Sequence, residues 1–267
     1  MKPFKNQNIP VKIQLGYLYV GIVLTVLYLL TYGISLNNFI ISLIITFVHT
    51  HSVSIVYHRY LVHHAFKLKK WFNYIGSTIA CLHNSGSPFA WRGVHFLHHK
   101  YADTKKDPHA PENSKNIFRH MIYVASNDSV HYKYCNKAKT KDLKWMKGTT
   151  DGYHVFLHNY GHYLKILYSL FLLFVFGFEV LVVVHLLPIV LACLITAAVN
   201  LLSHMKVPFS WKDHNGNGYN NFFIAVLFSA GEGWHNNHHT YGGRANFGEK
   251  WWQIDTSYYI IKLIGEK

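Results

Sequence analysis

Three histidines near the end of the chain, His235, His238 and His239, stand at i, i+3 and i+4 within Gly231-Glu232-Gly233-Trp234-His235-Asn236-Asn237-His238-His239. On a helix this spacing turns three imidazoles to one face, where they can converge on a single point. The same spacing recurs at His95, His98 and His99, and packing supplies no reason for a chain to repeat it. His58 and His63 form a looser pair, and His204 has Asn200 one helical turn before it. Neutral imidazole binds Zn, Cu, Fe or Ni, whereas nine neighbouring imidazoles can neither all be hydrogen-bonded core residues nor all be protonated without accumulating like charge. One ion rarely takes more than about six ligands, so nine histidines imply two metal ions.

That inference requires the nine to meet, and the segments between them argue that they do. Apolar runs cover residues 11–35 and 39–57, and a third, from Tyr163 to Leu202, is twice the length of one membrane crossing. It must fold back, and Gly177-Phe178-Glu179 is the expected turn, leaving spans at 163–176 and 180–202. The first run lacks a small-residue cleavage site and reads as a spanning helix rather than a signal peptide. The connections at 36–38 and 177–179 carry no Lys or Arg, while residues 58–162 hold 16 Lys and Arg against 6 Asp and Glu. Basic segments stay on the cytosolic side, so both termini and the long loop are expected there.

The sequence therefore predicts an all-α integral membrane protein, a single domain over 1–267. Four transmembrane helices form two hairpins, and the cytosolic loop 58–162 and tail 203–267 form a helical cap carrying all nine histidines. The apolar stretch Trp71 to Ala90 reads as one helix at the membrane interface, and residues 113–152 as a solvated polar surface.

Composition agrees: 50% of residues are hydrophobic and only 14% charged, against about 25% charged in soluble domains. The net charge of +14 is a topology signal, and no basic stretch is interleaved with aromatics as in a nucleic-acid-reading module, so nucleic acid is not an expected partner. Cys81, Cys135 and Cys193 are isolated and offer neither a disulfide framework nor a thiolate site.

Other residues are weighed against ordinary roles. Asp107 can accept a hydrogen bond from a ligand imidazole and orient it. Glu232, Trp234 and Trp91 are candidates for supporting the ligands or touching substrate. His49 and His51, within the second span, stand between a functional and a structural reading. His64 points away from His63, and His83, His120, His131, His154, His158, His162, His185 and His214 lack any partner spacing and read as ordinary side chains.

The order His58-x-x-x-x-His63, His95-x-x-His98-His99, His235-x-x-His238-His239 resembles the three histidine boxes of membrane-bound fatty acyl desaturases of the delta-9, stearoyl-CoA desaturase-like type. The flanks His-His-Lys-Tyr-Ala-Asp-Thr-Lys-Lys-Asp-Pro-His and Gly-Glu-Gly-Trp-His-Asn-Asn-His-His-Thr agree, and Phe247 to Asp255 resembles the tail of bacterial members. The resemblance implies two iron ions held by the nine histidines, with Asn200 reaching one through water. It further implies an O2-dependent oxidoreductase that removes two hydrogens from adjacent methylenes of a fatty acyl chain, giving a cis double bond at the delta-9 position. The acyl substrate would be carried on coenzyme A or on a phospholipid. Electrons would come from a separate ferredoxin, rubredoxin or cytochrome b5 type protein, since no His-Pro-Gly-Gly stretch is present. Ser42 and Thr46 are candidates for the far end of an acyl tunnel, set against plain bundle packing. Phe96 and Ile122 to Ser126 depart from the acyl-CoA members, which carry basic residues there.

Two rivals remain. A membrane di-iron hydroxylase of lipids typically has a shorter first box than His58 to His63. A metal transporter or sensor would place its ligands along the membrane path, where only His49, His51 and His185 lie.

Overall fold

Helix α1, Asn8–Tyr32, ends at Gly33, whose φ of +69° is the left-handed conformation that glycine adopts without strain. Two residues on, the Ser35 hydroxyl accepts a hydrogen bond from the Asn38 amide at 3.2 Å and starts α2, Leu36–Ser52. The turn thus falls at 33–35 rather than at 36–38, because a serine cap draws Asn37 and Asn38 into the helix. This computed structural model describes residues 8–108, 150–226 and 229–266. His109, His120, His131, Cys135 and the Ile122–Ser126 stretch lie outside the described residues.

Beyond Ser52 the second helix does not stop at 57. It continues as a π-helix over Val53–Val62, giving one apolar helix from Leu36 to Val62. Its inward face, Ile55, Val56, Tyr57 and Leu61, forms the main buried core with Ala80, Phe89 and Ala90.

The expected interface helix over Trp71 to Ala90 is two helices. α3, Lys70–Leu82, ends at a tight turn with Asn84 at φ +72° and Gly86 at φ +74°, and α4, Pro88–Tyr101, starts where Ser87 caps the Ala90 amide at 3.2 Å. Proline at the first position of α4 costs nothing there, since that amide has no helical partner. α3 runs beside the first half of α5, Gly152–Phe176, and in the same direction. Tyr74 packs on Tyr153 at 4.5 Å between ring centres, and Asn84 accepts a hydrogen bond from Lys165. This packing explains why α5 begins at Gly152, well before Tyr163. Its first half is polar in sequence yet buries His154, Leu157, His158 and Gly161, so an apolarity pattern finds only the second half.

Gly177, at φ +89°, breaks the chain where the turn is expected. α6, Phe178–Leu181, then passes through a π turn at Val182–Leu186 into α7, Leu187–Leu202. Among the described residues, three helices, Lys12–Tyr32, Leu36–Val62 and Phe178–Leu202, are long and apolar enough to cross a membrane. After Leu202 the tail adds short elements: strands β2, Ser210–Trp211, and β3, Asn220–Asn221, pair antiparallel, followed by α8, Phe222–Val226, α9, His235–Thr240, and α10, Thr256–Ile264. A final strand, β4, Gly265–Glu266, pairs with β1, Lys67–Leu68, tying the tail to the segment just after the first histidine pair.

Candidate metal centre

The π-helix solves a geometric problem posed by the first pair. On an α-helix of 3.6 residues per turn, residues five apart point roughly 140° from each other. In the π-helix the His63 amide donates to the His58 carbonyl at 3.1 Å, an i to i+5 bond, and the two ring centres lie 4.9 Å apart.

The nine imidazoles gather in two groups whose ligand atoms lie within 4.8 Å of one another: His58, His63, His95, His99 and His238, and His98, His204, His235 and His239. Neither triplet converges on a single point. His95 and His99 serve the first group and His98 the second; His235 and His239 serve the second and His238 the first. At about 100° of rotation per residue, positions i+3 and i+4 swing to opposite sides of position i, so each triplet straddles both groups.

Every inward contact is made by Nε2. In the first group the Nε2 atoms of His58 and His238 are 3.0 Å apart, His63 and His95 3.0 Å, His99 and His95 2.9 Å, and His99 and His238 2.9 Å. In the second, His98 and His239 are 3.1 Å apart, His204 and His235 2.8 Å, and His239 and His235 3.0 Å. Carboxylates hold the opposite side of three rings. His58 Nδ1 meets Glu232 at 2.8 Å, His98 Nδ1 meets Asp107 at 2.9 Å, and His204 Nδ1 meets Asp103 at 2.7 Å. Each Nδ1–H donates outward, so these Nε2 atoms present lone pairs to one another, an arrangement that a cation between them stabilises.

Electrostatics favour the neutral form of six of these rings. Burial first, then the neighbouring imidazoles, lowers His63 and His99 to about 2 and holds His95, His235, His238 and His239 well below the usual histidine value. Burial alone would raise the Glu232 carboxyl, but His58, Arg59 and Ser54 outweigh it and hold it below its ordinary value. The donor set is nitrogen-only and divided five and four, and it fits two divalent first-row metal ions. Replacing Glu232 with Gln removes the charge that orients His58. We expect metal affinity to fall about 10–100-fold, read as a shift in the chelator concentration that strips the protein; an unchanged midpoint would deny Glu232 that part.

Trp234 is fully buried and packs with Trp211 and Trp252 while its Nε1 donates to the Ile254 carbonyl at 2.8 Å, so it braces the ligand helix from behind. Trp91 lies flat on His95, ring centres 4.7 Å apart. It lines a cavity that also touches His58, His95, His98, His235, Glu232 and Asn200. Ser42 and Thr46 are not on that lining. The Ser42 hydroxyl donates to the Val183 carbonyl at 2.8 Å and Thr46 to the Ser42 carbonyl at 2.7 Å, which is helix packing. His51 is likewise engaged, with Phe47 and Thr256 at 2.8 Å each.

Several residues that matter here carry no spacing signal. Asp103 shares with Asp107 the role of orienting a ligand. Asn236 and Asn237, lying between ligands of the third triplet, point to the far side of α9. There Asn236 Oδ1 accepts from the Asp213 and His214 amides, and Asn237 Nδ2 donates to the Phe247 carbonyl. Phe247 packs on both His58 and His238. Before the helix, Gly231 takes φ +81°, and Gly233 lies so close to Ala225 that a side chain would strike its backbone. Only a chain fold brings these positions to the site.

The sequence profile of the fatty acid desaturase family matches residues 34–255. The chain is 30% identical over 224 residues to delta-9 acyl-lipid desaturase 1 of Arabidopsis thaliana, covering 84% of this chain and 71% of that one. It is 32% identical over 217 residues to delta-9 desaturase-like 5 protein of the same plant, covering 79% and 68%. It is 35% identical over 208 residues to acyl-CoA C20 delta5-desaturase of Anemone leveillei, covering 78% and 64%. With two histidine groups converging at the end of apolar helices and this breadth of similarity, the chain belongs to the fatty acid desaturase family of oxidoreductases.

Proposed function

We propose that the chain is a di-iron, O2-dependent acyl desaturase that introduces a cis double bond at the delta-9 position of a fatty acyl chain carried on coenzyme A or on a lipid. The observation that carries this reading is the inward-facing set of nine Nε2 atoms, split five and four, with His58, His95, His98 and His235 of that set lining a cavity. α5 acts as the fourth span, and both termini and the histidine cap face the cytosol as a single desaturase domain. The five-histidine group holds one iron. The other group would hold the second, with Asn200 as its further partner through water. Iron bound there would supply the oxidising power for removing two hydrogens from adjacent methylenes, with O2, two electrons and two protons from outside balancing as two water molecules.

The chain's own residues do the rest. Glu232, Asp107 and Asp103 keep the Nδ1 protons of His58, His98 and His204, fixing ring orientation and leaving Nε2 free to bind. Trp91, Val94 and Val199 give the cavity apolar walls that exclude water and hold one methylene pair near the ligands, so position rather than reactivity selects the bond. A separate iron–sulfur, rubredoxin or cytochrome b5 type protein delivers the electrons.

Expression with such a donor, followed by gas chromatography and mass spectrometry of the lipids, tests the reading. New monounsaturated chains are expected, absent in His98→Ala. Hydroxylated products would favour a hydroxylase, and an unchanged lipid profile with zinc in the purified protein would refute both.

A further inference from the structure

Among the described residues, nothing covers the outer face of α10. Ile261 is buried in the main core with Ile260 and Ile264 packed beside it, which seats the inner side of the helix against the π-helix. On the outer side Tyr259 and Leu263, one turn apart, are 54% and 85% exposed, and Ile254, just before the helix, is 51% exposed. A helix on a water-covered surface turns charged and polar residues outward. Of the exposed residues of α10, only Lys262 is charged.

The place where α10 starts indicates what lies over that face. His51 Nε2 and the Thr256 hydroxyl are 2.8 Å apart, and the Ser257 hydroxyl donates to Ser54 at 3.0 Å, so the helix begins on the second span itself. The same side of α2 carries Ile41, Ile44 and Val48, all exposed, and one further turn reaches His51. α10 therefore continues a row of side chains that faces lipid. A hydrocarbon layer of about 30 Å takes about 20 helical residues, which run from Leu36 to Ile55 along α2 and from Tyr32 back to Ile13, beside the exposed Lys12, along α1. His51 is then about 6 Å inside the hydrocarbon edge, at 1.5 Å per residue. From this level α10 climbs outward, because Gly265–Glu266 at its end pairs with Lys67–Leu68, which lie beyond the end of the π-helix at Val62. Its 9 residues rise about 13 Å, enough to pass from the last turn of hydrocarbon through the headgroup layer. Lys262, Lys67 and Lys69 are exposed toward the outer end. Apolar and aromatic groups at the boundary with lysines just outside are the order expected of a helix seated in a membrane interface.

We propose that the outer face of α10, formed by Tyr259 and Leu263 with Ile254 before them, is embedded in the bilayer interface at the end of the spans that carries the histidines, with Lys262, Lys67 and Lys69 among anionic headgroups. The occupant of this face is the membrane, not a second protein. Asp255, held by Arg59, opens α10, so the bilayer shares in holding the tail that supplies His235, His238 and His239. The inference needs the membrane spans and is independent of the reaction.

The test places an environment-sensitive fluorophore on one introduced cysteine in the full chain, reconstituted with its iron in phosphatidylcholine–phosphatidylglycerol nanodiscs. The unsubstituted chain, labelled in parallel, gives the background from its own cysteines. Leu263→Cys changes an exposed position and empties no core, while Ile44→Cys within the span and Asn215→Cys on an exposed loop serve as lipid and water references. Lipid spin-labelled close to its headgroup should quench Leu263→Cys several-fold more than Asn215→Cys, and iodide in the water should quench it several-fold less. Equal iodide quenching at the two positions, with Ile44→Cys still quenched by lipid, overturns the embedded face and leaves the spans standing. Iodide quenching of Ile44→Cys as well overturns both. A Leu263→Cys label shielded from lipid and iodide alike, or shielded from iodide only once an electron-donor protein is added, assigns the face to a protein and overturns the proposal.

Discussion

His238→Ala should yield a folded protein that forms no detectable olefin and retains about one iron per chain instead of about two. His238 supplies Nε2 to the five-histidine group only, 3.0 Å from His58 and 2.9 Å from His99, and it is fully buried. His235→Ala, three residues away on the same short helix, should empty the other group and leave the first filled. Losing a direct ligand costs more than the roughly 10–100-fold lost with an outer partner, so each variant should shed its own ion during purification. Metal analysis of the two variants and of their double mutant measures this. Equal losses of both ions in each single variant would show that the groups do not bind separately. Two irons retained in both would remove these histidines from the ligand set.

Arg59→Met should destabilise the protein by about 3–5 kcal/mol, as breaking a buried ion pair from one side does. Arg59 and Asp255 have no exposed side-chain surface, and Arg59 Nη1 lies 2.9 and 2.8 Å from the two carboxylate oxygens. The guanidinium also donates to the carbonyls of Ala245 and Ala230 at 2.8 and 3.1 Å and stacks on Phe247 at 3.8 Å. One side chain of the π-helix thus clamps the tail that carries His235, His238 and His239. In the variant, Asp255 would stay buried without its cation, and the tail would loosen from the first pair. Chemical unfolding in detergent micelles measures the cost; a change within about 1 kcal/mol would assign the clamp to the surrounding packing. The double variant Arg59→Met/Asp255→Leu should recover part of the loss, because no unpaired charge then remains inside.

Legibility follows the range over which each physical signal acts. The ligand histidines could be read because metal binding repeats a residue type at helical spacing, and that pattern is local. The turn at Gly177 and three of the apolar helices could be read because hydrocarbon thickness sets a length and glycine sets a break. The start of α5 could not, since His154 and His158 look like solvated residues until α3 covers them. The break between α3 and α4 was hidden for a similar reason. His83 to Ser87 interrupt an apolar run too briefly to end it on composition alone, yet two left-handed residues turn the chain there.

The sequence by itself determined the chemistry: nine imidazoles, six of them in a repeated spacing, with acidic residues near the second and third boxes, on a chain that apolar length commits to a membrane. Tertiary structure alone decided how those ligands are shared. The i to i+5 bond of a π-helix brings His58 and His63 together, and each triplet divides between the two histidine groups because helical rotation separates i+3 from i+4.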